Sequence, residues 1–590
     1  MKDLESNMDE LPTELNIITL NCWGLLHLSA HRAERLTAIG RELAAADPPP
    51  HIVALQECWT QEDYRSIRRE TRFVLPFGKF YHSGVFGGGL AILSRWPIEE
   101  STMYRYPLNG RPTAFFRGDW FVGKGVACAR IRFGPGDRDI VEVFNTHTHA
   151  IYEHPPDKID SYAVQRLAQS WEIAKLVRGA AERGHLAIAL GDFNDVPLSL
   201  SYRMLTAHAP IRDAWRVLNP DSSLGSAIHE LERARRRPVP SAAFNLAENG
   251  VTSNSAYNTW AWPKSDQKAL RSGKRPMIVP PDTPDPRGKR IDYIFFSPQV
   301  FTSTNPVLKE LNQARASRDV SENATKSRGW VVKDVRVGML ARHPELGCSL
   351  SDHFSVEATL LLHTSNSAVN ITSPSRPPSP PSPNSPQRPR STHSHLSVGD
   401  PAQNESDGQS HAAASLLALE HGTYLQSPTG SEYRVGSRLD LRQSYDTQLR
   451  DSARSLPTRR GEGLPCTTYD EVLSQIHAYV ARERSQRWWR FAHFFAWVFV
   501  VLACYVAVWF APYRGVAFAF LVLSSLGFLA GAMDGLMALL FFGSEIRALK
   551  EFEWEIMNAK ATASGAHGLV GRQHDDGGGG GGDGDEEKVW

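Results

Sequence analysis

Between residues 14 and 363 a series of short apolar runs each gives way to a polar signal of the same chemical kind, and this order constrains the fold more than any other feature. Ile-Ile-Thr-Leu ends in Asn21, Val-Ala-Leu-Gln in Glu57, and the run through Val143 in His147 and His149. Leu186–Leu190 ends in Gly191-Asp-Phe-Asn, and Ser351-Asp-His leads into the last apolar run. Short β-branched and aliphatic runs bounded by turn residues read as strands. Strands are predicted at 17–20, 51–55, 89–93, 140–145, 186–190, 291–296 and 355–362. Helical spacing covers 30–46 and 163–183. Strands alternating with helices point to mixed sheets sandwiched by helices. Polar residues at strand ends lie where such sheets bind ligands. The stretch 263–290, rich in Pro, Lys, Arg and Asp, reads as a long surface loop.

A chain of 590 residues exceeds one ordinary domain. Its net charge of +1 supplies no global basic field for nucleic acid. Six cysteines without a CxxC pair suit a reducing compartment. The acidic N-terminus lacks the apolar core of a signal peptide. The Ser/Pro-rich stretch 364–466 is too poor in apolar surface to offset ordering entropy, so a disordered linker is expected there. A juxtamembrane helix is expected over 467–490 and a transmembrane hairpin over 491–543, with spans near 491–511 and 516–540. Phe491–Phe510 carries no formal charge for about the 20 residues a bilayer core requires. The tail 544–590 ends in a low-complexity Gly run. Arg482, Arg484, Arg487 and Arg490 precede the first span, Arg547 and Lys550 follow the second, and Arg514 lies between. That distribution puts both termini and the catalytic region on the cytosolic side. Asp534, alone in the second span, is expected to face the partner helix. On this reading the linker leaves the catalytic region loosely tethered to its membrane hairpin.

The polar set fits hydrolysis of a phosphodiester, which needs charge neutralisation at the phosphoryl group, an activated water and a stabilised leaving alkoxide. A hard Mg²⁺ ion on one or two carboxylates meets the first need. Glu57 is the expected principal ligand, with Asn21 supporting metal or phosphate. Period-two spacing aims Asp192 and Asn194 at one point, the former to orient or deprotonate water, the latter to contact the developing oxyanion. His353 is the expected general base. Asp352 points elsewhere in an extended chain and either touches metal or fixes the turn. His147 and His149 share a strand face; one should contact a phosphoryl oxygen, and His147 is favoured. Asp292, in Arg-Ile-Asp-Tyr, can fix a histidine tautomer. Asp119 and Lys124, in Asp-Trp-Phe-Val-Gly-Lys-Gly, read by themselves as an exposed turn with an incidental ion pair.

Leu20-Asn-Cys-Trp-Gly, Leu55-Gln-Glu, Gly191-Asp-Phe-Asn, Arg290-Ile-Asp-Tyr and Ser351-Asp-His together resemble the endonuclease/exonuclease/phosphatase superfamily. The Asp119–Lys124 motif, Asn145-Thr-His-Thr-His-Ala and the apolar hairpin resemble, within it, the neutral sphingomyelinases and the fungal inositol phosphosphingolipid phospholipases C. The resemblance spans residues 14–363 and 491–543. It implies a deoxyribonuclease I-like four-layer α/β sandwich carrying a C-terminal two-helix transmembrane hairpin. It also implies Mg²⁺-dependent hydrolysis of a sphingolipid to ceramide and a phosphorylated head group. Glu57 and Asn21 would fall on the metal site, Asp192 and Asn194 on the water and transition state, and His353 on the base. Asp119 and Lys124 would form an activation switch, and an anionic phospholipid would be the activator. The endoplasmic reticulum is the expected membrane, with mitochondrial and other membranes as alternatives. Nothing in the residues selects phosphoinositol over phosphocholine or sets the oligomeric state. Two other readings keep the fold: a phosphodiesterase acting on nucleic acid or a phosphoinositide, and a non-catalytic membrane scaffold. The balanced charge and the hairpin speak against nucleic acid; the intact polar set speaks against a scaffold.

Overall fold

The computed structural model describes residues 11–152, 160–273, 278–299, 301–302, 327–365, 423–426, 432–435, 438–455 and 464–565. Two mixed sheets lie face to face. The first runs β11 (Phe301–Thr302), β12 (Ser327–Gly338), β13 (Ser355–Ser365), β1 (Glu14–Asn21), β2 (Ile52–Gln56), β4 (Leu90–Ser94), β3 (Phe77–Tyr81). The second runs β5 (Ile98–Arg105), β6 (Gly125–Arg132), β7 (Ile140–His147), β8 (Leu186–Asp192), β10 (Asp292–Phe296), β9 (Arg212–Asp213).

Each strand feeds two cores, because successive side chains point to opposite faces. On β1, Leu15 and Ile17 join the core between the sheets, while Ile18 and Leu20 turn outward to α1 (Arg32–Ala45) and α2 (Gln61–Thr71). On β8, Leu186, Ile188 and Leu190 face the inner core. Ala187 and Ala189 face outward, and their small side chains let α3 (Ala163–Glu182) and α4 (Leu200–His208) pack closely on the second sheet. The result is the four-layer sandwich that the family resemblance implies, and it bears out the mixed sheets flanked by helices read from the residue pattern. Every predicted strand and both predicted helices form, with ends shifted by a few residues. β3, β5, β6 and β12 were not among the predicted strands; β5 is largely exposed and carries charged and polar side chains on both faces. The stretch 263–290 is no simple surface loop. It contains a helix at Lys264–Arg271, and Asp285 and Arg290 are buried.

Two long helices follow, α5 (Cys466–Ala507, continuing to Phe510) and α6 (Arg514–Leu536, continuing through a π-helical turn to Ala563). Both are long and apolar enough to cross a membrane. They pack antiparallel as a hairpin, Trp497 lying over Gly527 and Gly531; a Cβ at Gly527 would come within 2.0 Å of the indole. Asp534 faces the partner helix as expected, pairing with Arg490 and, at 2.7 Å, with His493 Nδ1. The proposed juxtamembrane helix is therefore continuous with the first span.

The loose tether is corrected. The N-terminal part of α5 and the C-terminal part of α6 dock on the outer face of α3: Val164, Leu167, Ala168 and Trp171 bury against Tyr469, Val472, Ile476, Leu549, Phe552 and Ile556. Polar contacts frame this seam. Tyr479 Oη accepts from Arg111 Nε at 3.0 Å and Gln165 Nε2 at 2.7 Å, and donates to Glu545 Oε1 at 3.0 Å. Lys175 Nζ reaches Glu555 at 3.0 Å, and Trp171 Nε1 donates to the same carboxylate. The apolar stripe on α3 is wide enough to cover a sheet on one side and a helix pair on the other, and that is how it is buried.

Within the expected linker, residues 366–422 lie outside the described residues, as do the N-terminal ten and the Gly run of the tail. The described part of the linker holds an antiparallel pair, Thr423–Gln426 with Glu432–Val435, and a helix at Arg438–Ser455.

Candidate active site

β1 and β2 run parallel, as do β7 and β8, while β13 and β10 run antiparallel to their neighbours. The C-terminal ends of the first four strands thus meet the N-terminal ends of the last two, and the polar signals gather at one edge of the sandwich. Asp192 sits in register with His147 on one side and with Asp292 on the other.

Asn21 bridges the two halves. Its Nδ2 donates to Glu57 Oε1 at 3.1 Å and to Asp192 Oδ2 at 3.0 Å, while its Oδ1 accepts from Trp23 N at 3.0 Å. Glu57 leaves β2 at φ 53 and Asn194 leaves β8 at φ 49. Left-handed backbone at non-glycine residues costs about 1 kcal/mol or more and clusters at functional sites. Here it swings both side chains back over the strand ends. Gly24 is required beneath Glu57, since a Cβ there would lie 2.3 Å from the Glu57 carbonyl oxygen.

Asp192 Oδ1 accepts from Asn194 N at 2.9 Å, and its Oδ2 lies 3.6 Å from His147 Nε2 and 4.0 Å from His353 Nε2. His353 Nδ1 is 2.8 Å from Asp292 Oδ2, which also accepts from Thr252 Oγ1 at 2.5 Å. This contact leaves Nε2 of His353 facing Asp192. Asp292 thus lies against the imidazole of His353. Asp352 is half-buried, with its Oδ1 3.4 Å from Ser351 Oγ, and the Ser351 hydroxyl gives its one proton to Asn21 O at 2.5 Å.

The titration of the cluster follows from burial and mutual charge. Burial, then the nearby Asp352, pushes Glu57 up to about 7. Burial raises Asp292 and Asp352 as well. Burial works against the charged form of His353, but Asp292, Asp192 and Asp352 outweigh it and hold the imidazole well above its ordinary range. Asp192 is held low by His353 and His147 in spite of its burial. His147, buried and close to Lys124, falls to about 3.

Oxygen-rich chemistry of this kind fits a hard divalent cation. Glu57 Oε2 is buried with no hydrogen-bond partner among the described residues, and Glu57 and Asp192 converge on the one Asn21 nitrogen. Asp192, Asp292 and His353 also have ligand atoms within 4.8 Å of one another. In that second group, however, Asp292 Oδ2 and His353 Nδ1 already engage each other.

His149 does not share the strand face of His147 and lies with Asp119 and Lys124, the residues it is grouped with as a substrate or switch candidate. β7 ends at His147, and His149 turns away from Asp192, stacks near Tyr162 with centroids 5.0 Å apart, and sets Nδ1 3.5 Å from Asp119 Oδ1. It belongs with Asp119 and Lys124, whose charged groups lie 3.8 Å apart and are both buried. The exposed-turn reading of that motif is thus overturned. Burial opposes the Asp119 charge, yet His149, Lys124 and Tyr152 hold it below the ordinary carboxylate range. Lys124 Nζ donates to Thr148 O at 2.9 Å, the same carbonyl that accepts from Asn194 Nδ2 at 3.2 Å. One carbonyl therefore links the Asp119–Lys124 pair to the Asp192 cluster.

Three supporting residues carry no role in the sequence reading, although Gln56 and Arg290 lie within its motifs. Arg35 is wholly buried and donates to Leu350 O at 2.6 Å and Trp23 O at 2.9 Å, stapling the Asn21 loop to the Ser-Asp-His loop. Gln56 donates to Asn145 Oδ1 at 2.7 Å and locks the two sheets beneath the site. Arg290 pairs with Asp213 at 2.9 Å inside the protein, which accounts for the arginine of Arg-Ile-Asp-Tyr.

The pattern that defines the endonuclease/exonuclease/phosphatase family matches residues 18–353. The chain is 38% identical to "Inositol phosphosphingolipids phospholipase C" of Schizosaccharomyces pombe over 351 residues, 60% of this chain and 69% of that one. It is 26% identical to the protein of the same name in Saccharomyces cerevisiae over 568 residues, 92% and 90% of the two chains. Human "Sphingomyelin phosphodiesterase 2" is 32% identical over 201 residues, 34% of this chain and 46% of the human one. With this match and the convergence of Asn21, Glu57, Asp192, Asp292 and His353, the chain belongs to the endonuclease/exonuclease/phosphatase family, among the phosphoric diester hydrolases that include the inositol phosphosphingolipid phospholipases C and the neutral sphingomyelinases.

Proposed function

We propose that this protein is a membrane-bound, Mg²⁺-dependent phospholipase C that cleaves sphingolipid phosphodiesters, inositol phosphosphingolipids or sphingomyelin, to ceramide and a phosphorylated head group. The observation that carries the reading is the gathering of two unlike sets of groups at one sheet edge: Glu57 with Asn21, and His353 with Asp292 and Asp192. The names of the relatives support the sphingolipid substrate.

Glu57, with Asn21 and Asp352 around it, would hold Mg²⁺, which supplies Lewis acidity at the phosphoryl oxygens when bound. His353, fixed at Nδ1 by Asp292, takes the proton of the attacking water at Nε2 when it is in its neutral form, with Asp192 orienting that water. The water oxygen bonds to phosphorus, the bond from phosphorus to the ceramide oxygen breaks, the departing alkoxide takes up a proton from bulk water, and His353 releases the proton it accepted to solvent. Asn194 and His147, both beside Asp192, would stabilise the growing oxyanion charge. His147, kept neutral by burial and Lys124, acts as a hydrogen-bonding group rather than as an acid.

Exposed apolar side chains along the hairpin, including Phe499, Leu502, Leu521, Leu526 and Leu529, support insertion in a bilayer. Arg482, Arg484, Arg487 and Arg490 at its base favour an anionic leaflet and an anionic phospholipid activator. Such a membrane places the docked catalytic domain beside its substrate at high effective concentration. The cytosolic face of the endoplasmic reticulum is the proposed location.

The test is to incubate the full chain in mixed micelles with inositol phosphoceramide, sphingomyelin and a DNA duplex side by side, with and without Mg²⁺. Release of water-soluble phosphate ester from a sphingolipid, dependent on Mg²⁺, is expected. Cleavage of DNA alone would overturn the proposal.

A further inference from the structure

Ser253 is the antiparallel bridge partner of two residues at once, Lys289 on one side and His353 on the other. Ser253 N donates to Lys289 O at 3.0 Å, Lys289 N returns the bond at 3.0 Å, and Phe354 N donates to Thr252 O at 2.9 Å. Residues directly opposed in bridged extended segments project their side chains to the same face. Lys289, Ser253 and His353 therefore stand in a row on the face from which His353 reaches toward Asp192. Adjacent segments lie about 4.8 Å apart, so the Lys289 backbone is about 10 Å from that of His353. A flexible four-carbon stem spans much of that interval.

The other cations near the site are engaged. Lys124 holds Asp119 and Thr148 O, Arg166 holds Asp160 and Asp195, and Arg290 holds Asp213. Lys289 is half-buried, and its ammonium makes no hydrogen bond or ion pair among the described residues. Burial lowers its pKa, while the carboxylates of Asp192, Asp195 and Asp292 pull the other way, which sets it among the groups of the site.

We infer that Lys289 selects the head group: its ammonium donates to the hydroxyl and anionic oxygens of a polyol phosphate such as phosphoinositol and repels the quaternary ammonium of phosphocholine. The inference rests on the sphingolipid reading above and names which sphingolipid the site prefers. An ammonium has three donors and no acceptor. A ring of hydroxyls can use all three, whereas a trimethylammonium group offers no acceptor and carries the same charge. Specificity of this kind comes from a repulsive contact as much as from an attractive one.

The experiment compares kcat/KM of the full chain for inositol phosphoceramide and sphingomyelin in mixed micelles at saturating Mg²⁺, for wild type, Lys289→Met and Lys289→Arg. Lys289→Met should lose about tenfold on the inositol substrate and hold or gain on sphingomyelin, and Lys289→Arg should retain the wild-type preference. An equal loss on both substrates assigns Lys289 to the shared phosphoryl group or to the fold and overturns the inference. No loss on either removes it from the substrate site. Thermal unfolding of each variant separates a folding defect from a change in selectivity. Wild-type protein that cleaves neither lipid defeats the sphingolipid reading itself, and the inference with it.

Discussion

Replacing Asp292 by Asn changes one buried charge while keeping the shape of the side chain. In the wild type, Asp292 Oδ2 sits 2.8 Å from His353 Nδ1 and accepts from Thr252 Oγ1, so the carboxylate fixes both the tautomer and the charge of the imidazole. At an effective dielectric of about 20, a unit charge roughly 4 Å from the imidazolium is worth about 4 kcal/mol, enough to move a titration by about three pH units. The sign is downward: Asp292 raises the His353 pKa, so removing its charge lowers it. The acid limb of kcat/KM, which reports a base that must be free of its proton, should therefore move to lower pH by about one to three units. The plateau should fall by about 10² to 10⁴, because the Asn amide can present its NH₂ to Nδ1 and strand the proton on Nε2. Head-group release in mixed micelles across pH 4 to about 9 measures both effects, and circular dichroism checks that the variant folds. An Asp292→Asn enzyme with its full plateau, or with an unmoved acid limb, refutes the assignment of His353 and Asp292 as a working pair.

Glu57→Gln should abolish hydrolysis, by about 10³ or more, and weaken Mg²⁺ binding measured by calorimetry. It should leave thermal stability unchanged or raised, because the carboxyl it replaces is buried and pushed up to about 7. Leu549→Ala opens the wholly buried seam between the hairpin and α3 and should cost about 2–5 kcal/mol of docking, read as faster hydrogen exchange over Ala163–Glu182 in micelles; unchanged exchange would restore the loose tether. Glu545, pushed up to about 8 by burial and then by Glu483, stabilises the docked state in its protonated form. That contribution is complete below the carboxyl's ordinary range and is lost as pH rises through about 8. Protection of the same helix, taken as the ratio of intrinsic to observed exchange at each pH, should accordingly fall between about pH 5 and about 8 in the wild type and stay level in Glu545→Gln.

Much of the site is legible along the chain because a strand end is a local event. An apolar run with period two, broken by a glycine or a polar residue, marks where a side chain leaves the sheet. Asn21, Glu57, His147, Asp192, Asn194, Asp292 and His353 all carry that mark, and the structure brings all seven to one edge. His149 carries it too, but β7 stops two residues before it, so it does not share the face of His147 and lies beside Asp119. β5 left no mark because it is exposed on both faces and needs no apolar alternation.

The sequence alone determined the sandwich class, the order of the polar groups and the presence of two stretches long and apolar enough to cross a membrane, because each follows from periodicity or length within a short window. Only the tertiary structure decided which of those groups face each other. Asp192 meets Asp292 through sheet register, Arg35 reaches Leu350 across more than three hundred residues, and Ser253 sets Lys289 in line with His353. The same holds for the hairpin. Its apolar length was plain, but its docking on α3 depends on Trp171, Leu549 and Ile556 closing one seam. Contacts of that kind are fixed by the packing of surfaces distant in the chain, and no local pattern encodes which two surfaces will match.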